Sequence, residues 1–523
     1  MVSSRWVARV VTVSALGLIA LQLLSLSRDR IFFFDEWDFV VNRNQLSIES
    51  IFSSHNGHPS AVPAAVYLLF LNLFGIGFFS PFIIAGLTVH LLVTVLVGRI
   101  VAQHVNQWVA LPAMIAMGLL GTGWQNSMWP FQIGFMGSVA SFLATVLLLG
   151  DGTTAPSARK LTQSSIALVI GVMCSSVGLA GIGAVALVTI GDRSRRQREW
   201  WTALPAAAIY LLWYVGFGSG SATSVSLSPS GVADYVLQSA SSAAASLGAT
   251  SQIWGALAIG LLIPLLALRI RRAGKEMRSS LLLPTSFLAV FWAMTAVSRG
   301  DLGEPGASRY TYIGAVGLIV IVAQISQNNK VAASLMFIGL SASAVLTSSA
   351  LLSGSQGLRY ESEVVRAQLE WVEEHAALIP PDLVVDPIHA PQLMVGSYLE
   401  SKARLGGSIS SPSGFSALSP GAAQALDSLV ARSWVLRSEA SAEVGCGNAI
   451  PVDRIDLDPG STISLISGDE AFFTISRFSD TESMPIPLEA VHTQISVPHD
   501  KWTQPWSLRL SGTETFLCTG LQS

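Results

Sequence analysis

Residues 10–41 have the sequence VVTVSALGLIALQLLSLSRDRIFFFDEWDFVV. The first part, through Leu26, is an unbroken apolar stretch, and with the residues before it this stretch is long enough to cross the hydrocarbon core of a bilayer. Arg5 and Arg9 precede it, as they would in a signal peptide, but no small-residue cleavage site follows. We therefore expect an uncleaved first membrane helix.

An acidic cluster begins within ten residues of that helix, at Asp35-Glu36-Trp37-Asp38. Three carboxylates beside a bilayer are costly to desolvate, which favours a binding or catalytic role. The alternative is local: Asp35 would cap a short helix with Asp38 at its third position, and Trp37 would be an interfacial aromatic residue. Because this alternative leaves Glu36 unexplained, we favour a functional site.

The composition predicts two parts. Of the 523 residues, 51% are hydrophobic and 12% are charged, whereas a soluble chain carries about 25% charged residues. Most apolar runs lie in the first 350 or so residues, so we expect a polytopic membrane domain over 1–355, an amphipathic connector over 356–380 and a globular domain over 381–523. No basic patch indicates nucleic-acid binding. The excess of arginine over lysine, with abundant alanine, glycine and valine, is typical of a high-GC bacterium.

Many stretches are long and apolar enough to span a membrane. One of them, 163–191, contains a polar break at 174–178 and is predicted to form two short helices. With the nine single spans given at the end of this paragraph, about eleven membrane helices are expected. Residues 60–78 are also apolar, and we interpret them as a helix along or partly entering the outer face. The other expected spans are 7–26, 81–101, 107–121, 131–150, 200–217, 252–270, 281–298, 310–326 and 331–352.

Charge asymmetry between the loops predicts the orientation, because cytoplasmic loops are enriched in arginine and lysine. The N-terminus and the basic segments are predicted to be cytoplasmic in a bacterial plasma membrane. The acidic first loop, the C-terminal domain and the loops near 121–130, 218–250 (serine-rich) and 299–309 are then extracytoplasmic. The basic segments are Arg99, Arg159 with Lys160, 193–198 and 269–278.

The C-terminal part has the patterns of a folded domain. Residues 361–375 have helical apolar spacing, residues 382–386 resemble a buried strand, and 462–475, 493–497 and 506–510 alternate apolar and polar residues. These patterns predict a small α+β or β-sandwich domain. Cys446 and Cys518 both lie in it and would form a disulfide in an oxidising exterior, two unpaired thiols being the alternative.

Two of the outer loops carry candidate binding residues. His55 and His58 flank an Asn-Gly pair, which indicates either a plain turn or a site for phosphate binding, proton transfer or metal ligation. Trp124, Gln125 and Trp129 lie on the second outer loop. Tryptophan is common at membrane interfaces, but flat aromatic faces beside an amide also suit sugar recognition.

Arg299, Arg309 and Tyr310 lie on a late outer loop, where arginine is uncommon. The arginines either snorkel to lipid headgroups or grip a lipid phosphate through a guanidinium fork. The predicted spans contain no chain of acidic or histidine residues, as an ion-coupled transporter usually has, and no P-loop is present. Chemistry at the outer surface fits better than transport.

Over residues 1–350 the chain resembles the GT-C class of membrane glycosyltransferases, which use polyprenyl-phosphate-linked sugars. The shared features are the acidic motif on the first outer loop, the histidine-containing loop with juxtamembrane helices, the many spans and the late loop with Arg309-Tyr310. The resemblance implies an inverting transfer to a cell-envelope glycan, lipid or protein. The competing interpretations are a transporter or flippase of lipid-linked saccharides and a non-catalytic membrane scaffold with a glycan-binding outer domain.

The resemblance also implies roles for individual residues. Asp35 or Glu36 would be the general base, with Asp35 favoured, and Arg309 would stabilise the departing lipid phosphate. Some members of the class hold a divalent metal with an Asp-x-Asp pair, so a Mg²⁺ or Mn²⁺ ion at Glu36 and Asp38 stays open. The substrate-binding candidates are Asp38, His55, His58, Trp124, Gln125, Trp129, Arg299, Arg309 and Tyr310.

Overall fold

The structure is a computed structural model that describes residues 4–150, 156–191, 199–219, 228–299, 304–409, 418–435, 446–468, 471–488, 492–497, 499, 504–512 and 515–521. The predicted basic segment 193–198 lies outside these residues, as do the side chains of Arg299 and Cys446. The chain forms two compact units. The helical unit comprises residues 1–28, 45–70 and 80–357, and the mixed unit comprises residues 29–44, 71–79 and 358–523.

Within the described ranges, eight helices are long and apolar enough to cross a membrane. They coincide with eight of the predicted spans and support a membrane-embedded protein. Three predicted spans correspond to shorter helices, Gln107–Gly118, Ala158–Cys174 and Val177–Gly191. The helices are Ser4–Leu26, Glu36–Val41, Ile48–Phe52, Ala61–Phe74, Ser80–His104, Gln107–Gly118, Trp124–Met128, Ile133–Leu149, Ala158–Cys174, Val177–Gly191, Trp200–Trp213, Pro229–Ser246, Gln252–Arg272, Lys275–Arg299, Ser308–Ile325, Lys330–Leu346, Ser348–Glu374, Val395–Leu405 and Pro420–Val435.

The break predicted within 163–191 is confirmed. One helix ends at Cys174 and the next begins at Val177. Glycines let the two helices approach closely, because a Cβ atom on Gly178 would lie 2.5 Å from the backbone of Gly171. The two arms therefore pack against each other as a hairpin.

The serine-rich stretch 218–250 is not the loop that we predicted, because most of it forms the helix Pro229–Ser246, which we call the serine-rich helix. Ser228 caps this helix by accepting a hydrogen bond from the backbone of Gly231, and Pro229 occupies its first position. We predicted a loop because the hydropathy of this stretch is low. Its alanines and serines pack closely on neighbouring helices, with Ala243 against Gly314 and the Ser241 backbone against Gly255.

Among its described residues, the mixed unit contains three antiparallel sheets. Strands β1 and β2 form a two-stranded sheet, and the two four-stranded sheets have the orders β3-β10-β5-β8 and β4-β9-β6-β7. The β-rich C-terminal region and the largely helical remainder agree with the predicted helical membrane protein that has a C-terminal α+β or β-sandwich domain. The strands are β1 Val384–Asp386, β2 Ala390–Met394, β3 Cys446–Pro451, β4 Arg454–Leu457, β5 Thr462–Ser467, β6 Phe472–Ser476, β7 Ile486–Pro487, β8 His492–Ser496, β9 Trp506–Ser511 and β10 Thr515–Leu521.

The predicted amphipathic helix over 361–375 is the final part of the continuous helix Ser348–Glu374. Its apolar residues Val364, Val365, Leu369 and Val372 are buried, as their spacing predicted. Cys518 on β10 is disulfide-bonded and Cys174 is a free thiol. Since the chain has three cysteines, this agrees with the expected pairing of Cys518 with Cys446.

Candidate functional site

The acidic cluster forms a short helix, Glu36–Val41, in the mixed unit. Glu36 is fully buried, and its carboxylate accepts a hydrogen bond of 2.7 Å from the backbone N–H of Phe33. Asp35 immediately precedes this helix, but its side chain forms no capping hydrogen bond, which counts against the local alternative in which Asp35 only caps the helix. Glu36 instead closes the turn before the helix, and Asp35 lies partly exposed at its start.

The residue before Asp35 has a strained backbone. Phe34 adopts φ +45°, a left-handed conformation that is unfavourable for an aromatic residue. Such a conformation costs about 1–3 kcal/mol and persists where the surrounding structure enforces it, often at active sites. Here the left-handed conformation of Phe34 sets the direction in which the chain enters the acidic helix, and therefore the position of Asp35.

Asp38 is held by two neighbours from its own segment. Its two carboxylate oxygens accept hydrogen bonds of 2.9 Å from Asn42 and from the guanidinium of Arg43. Burial lowers the pKa of Arg43, and the charge and hydrogen bond of Asp38 oppose that shift. A divalent cation prefers carboxylates that are free to turn toward it. The Glu36 and Asp38 donor set does not fit such an ion, since Arg43 already neutralises Asp38.

Residues of the helix Val395–Leu405, which also belongs to the mixed unit, support the acidic helix. Trp37 is fully buried, and its ring lies 6.3 Å from that of Tyr398. Asn44 donates hydrogen bonds to the Val40 carbonyl, at 2.6 Å, and to the Ser401 hydroxyl, at 2.8 Å. Sequence analysis missed Tyr398, Asn44 and Ser401, because their partners lie more than 350 positions away and no local pattern marks them.

Tyr398 is itself fixed by a carboxylate. Its hydroxyl donates a hydrogen bond of 2.6 Å to Glu373, which also accepts from Ser408 and pairs with Lys402, each at 2.7 Å. The aromatic support of Trp37 is thus anchored by a polar network, which leaves Tyr398 little freedom to reorient.

His55 and His58 close a tight hairpin in the helical unit, as the Asn-Gly pair predicted. Asn56 and Gly57 have φ +49° and +80°, and the two histidines exchange backbone hydrogen bonds of 3.0 and 2.9 Å. The His58 ring bonds the Ser176 hydroxyl at 2.6 Å, at the break between helices Ala158–Cys174 and Val177–Gly191. The hairpin is therefore docked on that break.

Arg309 lies near the N-terminus of the helix Ser308–Ile325 and is tied to the second predicted loop. Its backbone N–H donates to the Gln125 side chain at 3.2 Å, and the Gln125 backbone N–H donates to the Ser308 hydroxyl at 3.2 Å. The guanidinium carbon of Arg309 lies 4.9 Å from the centre of the Tyr310 ring. The two segments that we predicted to be substrate-binding outer loops are thus directly hydrogen-bonded to each other.

A cavity of about 670 Å³ lies beside this junction. Its walls combine an indole, two amides, hydroxyl groups and a carboxylate, and several come from the serine-rich helix and the turn after it. Because that helix was predicted as a loop, its lining residues were missed. The polar or aromatic lining residues are Thr122, Trp124, Gln125, Ser242, Ser246, Thr250, Gln252, Glu304, Ser308 and Thr311.

The position of Trp124 depends on a glycine. A Cβ atom on Gly354 would overlap the indole ring, with Cδ2 of Trp124 only 2.5 Å away. The bare backbone of the helix Ser348–Glu374 therefore supports Trp124, which also lines the cavity. Trp129 differs, because it is only 5% exposed and packs on Phe131 with ring centres 5.4 Å apart.

A smaller cavity of about 40 Å³ brings His58, Ser176 and Tyr310 together. Tyr235 of the serine-rich helix lies near enough to Tyr310 and Arg309 for both residues to affect its pKa. Burial and the neighbouring Tyr310 raise its pKa to about 12, and Arg309 opposes that shift. The Tyr235 hydroxyl is buried and has no hydrogen-bond partner among the described residues, so it remains available to a ligand beside Arg309.

The predicted site residues thus fall in two groups. Asp35, Glu36 and Asp38 lie together in the mixed unit. A second group lies in the helical unit. Contacts and shared cavities connect its members Trp124, Gln125, Arg309, Tyr310 and His58. His55 and Trp129 also belong to this group, and the ring of each contacts the ring of Phe131. Arg299 ends the helix Lys275–Arg299, and its side chain is outside the described set.

Comparison with known proteins gives a distant structural similarity. Two crystal structures of ArnT from Cupriavidus metallidurans, one in the apo state and one bound to undecaprenyl phosphate, each superpose with a TM-score of 0.48. The identities are 14% and 13%, and each match covers 76% of this chain and 85% of the ArnT chain. No protein-family model and no curated protein sequence matches the chain.

Proposed function

We propose that the protein is a membrane glycosyltransferase that moves a sugar from a polyprenyl-phosphate donor to a cell-envelope acceptor at the outer face. The observation that carries the proposal is the 670 Å³ cavity beside Arg309. It combines a flat indole face with a dense set of hydroxyl and amide groups. Aromatic faces bind the apolar side of sugar rings, and hydroxyl and amide groups satisfy their polar rims.

Arg309 is the group that we assign to the donor phosphate. It lies at the N-terminal end of an 18-residue helix, where backbone N–H groups and the helix dipole favour an anion. A guanidinium adds bidentate hydrogen bonds to phosphate oxygens. The buried Tyr235 hydroxyl supplies a further donor in the same neighbourhood.

Asp35 is the group that we assign as general base. It is partly exposed at the start of the acidic helix, whereas Glu36 is fully buried and Asp38 is paired with Arg43. In the proposed step the acceptor hydroxyl oxygen attacks the anomeric carbon and Asp35 takes its proton. The bond between the anomeric carbon and the phosphate oxygen breaks with inversion, and the polyprenyl phosphate leaves with the electron pair, stabilised by Arg309.

The roles of the neighbouring carboxylates are structural in this proposal. Glu36 holds the turn before the acidic helix and Asp38 neutralises the buried guanidinium of Arg43. No step passes through a metal ion, because one oxygen of Glu36 and both oxygens of Asp38 already accept hydrogen bonds from protein donors.

The test replaces Asp35 by asparagine in the cells that normally make the protein. We expect one sugar substituent of the envelope glycans to disappear and its polyprenyl-phosphate donor to accumulate, both measured by mass spectrometry. Asp382→Asn is the matched control, since it makes the same chemical change at an exposed carboxylate of the same unit. Both variants are checked for equal amounts in the membrane fraction.

A second measurement separates the enzyme from a flippase. Lipid extract from the Asp35→Asn cells, which contains the accumulated donor, is mixed with an envelope fraction and purified wild-type protein. If the protein transfers the sugar, free polyprenyl phosphate is released from the donor. Intact donor in this mixture would indicate transport instead of transfer. Unchanged envelope glycans in correctly inserted Asp35→Asn cells would refute Asp35 as the base.

A further inference from the structure

A third cavity, of about 480 Å³, lies away from the residues of the proposed site. It is enclosed by the helices Ser4–Leu26, Ser80–His104 and Gln107–Gly118 of the helical unit. Most of its wall is aliphatic, from residues such as Val11, Leu16, Val95, Leu111 and Met114. In a bilayer such a groove fills with lipid chains, because no water is available to occupy it.

Two arginines lie at this groove. Arg9 and Arg99 both line the cavity and are exposed. Within the described residues neither of them belongs to an ion pair. Two guanidinium groups without acidic partners beside an apolar groove are complementary to a lipid that has a negatively charged headgroup.

The polar corner of the groove is held in place. Trp108 is 63% exposed at the start of its helix, as interfacial tryptophans are. The Asn106 side chain accepts hydrogen bonds from the backbone N–H groups of Trp108 and Val109, at 2.9 and 3.0 Å. This cap fixes the corner from which Gln107 and Trp108 line the cavity.

The apolar floor is shaped by a glycine. A Cβ atom on Gly98 would lie 2.6 Å from the sulfur of Met114. Without that Cβ, Met114 packs directly on the backbone of the helix Ser80–His104, and both residues line the cavity. The helix Ser4–Leu26 is mostly exposed along its length, so the groove opens toward the surrounding lipid.

We infer that this groove is a binding site for one anionic phospholipid. Its phosphate is held by Arg9 and Arg99, and an acyl chain fills the apolar groove between the three helices. The inference is independent of the proposed transferase activity, because it uses none of the residues assigned to that activity.

Native mass spectrometry of the purified full chain tests the inference, with phosphatidylglycerol and phosphatidylcholine as probes. We expect one tightly bound phosphatidylglycerol per chain and weak binding of phosphatidylcholine. Arg9→Gln and Arg99→Gln should each weaken phosphatidylglycerol binding about five-fold. Arg159→Gln is the control, an exposed arginine that does not line the cavity and that we predict on the same side of the membrane; it should change binding less than two-fold.

A filling variant separates a groove from general surface charge. Ala8→Phe places a ring in the cavity and leaves both arginines unchanged, so it should abolish the tightly bound lipid. The inference is overturned if phosphatidylcholine binds equally well, if Arg159→Gln weakens binding as much as Arg9→Gln, or if Ala8→Phe leaves binding intact. Tighter binding of a polyprenyl phosphate than of phosphatidylglycerol would also overturn it.

Discussion

The support of Trp124 by Gly354 gives a sharp prediction, because the same helix offers a matched control. A Cβ atom on Gly354 would overlap the Trp124 ring, whereas a Cβ atom on Gly357 would meet nothing within 4 Å. Both glycines lie inside the helix Ser348–Glu374. Gly→Ala in a helix gains about 0.5–1 kcal/mol in propensity, and this gain is common to both variants.

The difference between Gly354→Ala and Gly357→Ala therefore isolates the overlap with Trp124. Inserting a methyl group into a packed contact costs about 1–3 kcal/mol, so Gly354→Ala should be less stable than Gly357→Ala by that amount. Gly354→Ala should also raise the KM for the polyprenyl-phosphate sugar of the proposed reaction, because the displaced indole lines the 670 Å³ cavity.

The assay is thermal unfolding of the two purified variants in the same detergent, followed by tryptophan fluorescence, with steady-state kinetics on the same samples. Gly357→Ala should match or exceed the wild type in stability and keep its KM. Equal stability and equal KM for the two variants would refute the argument that the bare backbone at Gly354 positions Trp124.

Three further predictions concern the mixed unit. Glu36→Gln should retain the protein's stability, because the amide oxygen still accepts the hydrogen bond from the Phe33 N–H. Glu36→Ala should lose about 1–3 kcal/mol of unfolding free energy, because it leaves that buried N–H unpaired. Chemical denaturation compares the two variants, and equal losses would contradict the role of this hydrogen bond. Tyr398→Phe keeps the ring contact with Trp37 but removes the hydrogen bond to Glu373, so kcat should fall several-fold with little change in KM. Tyr398→Leu should lower both kcat and stability. A change in KM alone in Tyr398→Phe would count against a positioning role. The hydrogen bond that His389 donates to Asp386 raises the pKa of His389, burial opposes this, and the charges of Asp386 and Glu361 add to it. The stabilising contribution of His389 is therefore complete below about pH 6.5 and is lost as the pH rises through the raised value. Burial alone would raise the pKa of Asp386, but hydrogen bonds from His389 and the Ile388 backbone outweigh it and lower the pKa, so this contribution is lost only as the pH falls through that lowered value. Melting curves between pH 5.5 and 8.5 should therefore show the wild type losing stability toward alkaline pH and His389→Gln losing less; parallel curves would refute the coupling.

Much of the fold could be predicted from local patterns. Long apolar runs predicted eight helices that are able to span a membrane, and the polar break at 174–178 predicted a hairpin that the structure contains. Alternation predicted strands in the C-terminal region. The serine-rich helix was missed because small polar residues pack as closely as alanine while lowering the hydropathy on which the prediction relied.

The candidate site was only partly predictable, for a different reason. The Asn-Gly pair fixed the His55–His58 turn through local backbone preferences. The contacts of Arg309 with Gln125, and of Asn44 with Ser401, join residues that are 184 and 357 positions apart. No spacing in a single sequence encodes such pairs, so the walls of the cavity and the supports of the acidic helix became visible only in the folded chain.

The membership of residues 29–44 in the mixed unit has a consequence for biosynthesis. Tyr398 follows Asp38 by 360 positions, so at about 5–20 residues per second it leaves the ribosome roughly 20–70 s later. During that interval the acidic helix lacks the partners that order it. A nascent or prematurely terminated chain would therefore insert its first membrane helices while its acidic segment is still unsupported. The acidic segment gains its contacts with Tyr398 and Ser401 only after synthesis has passed the helix Val395–Leu405.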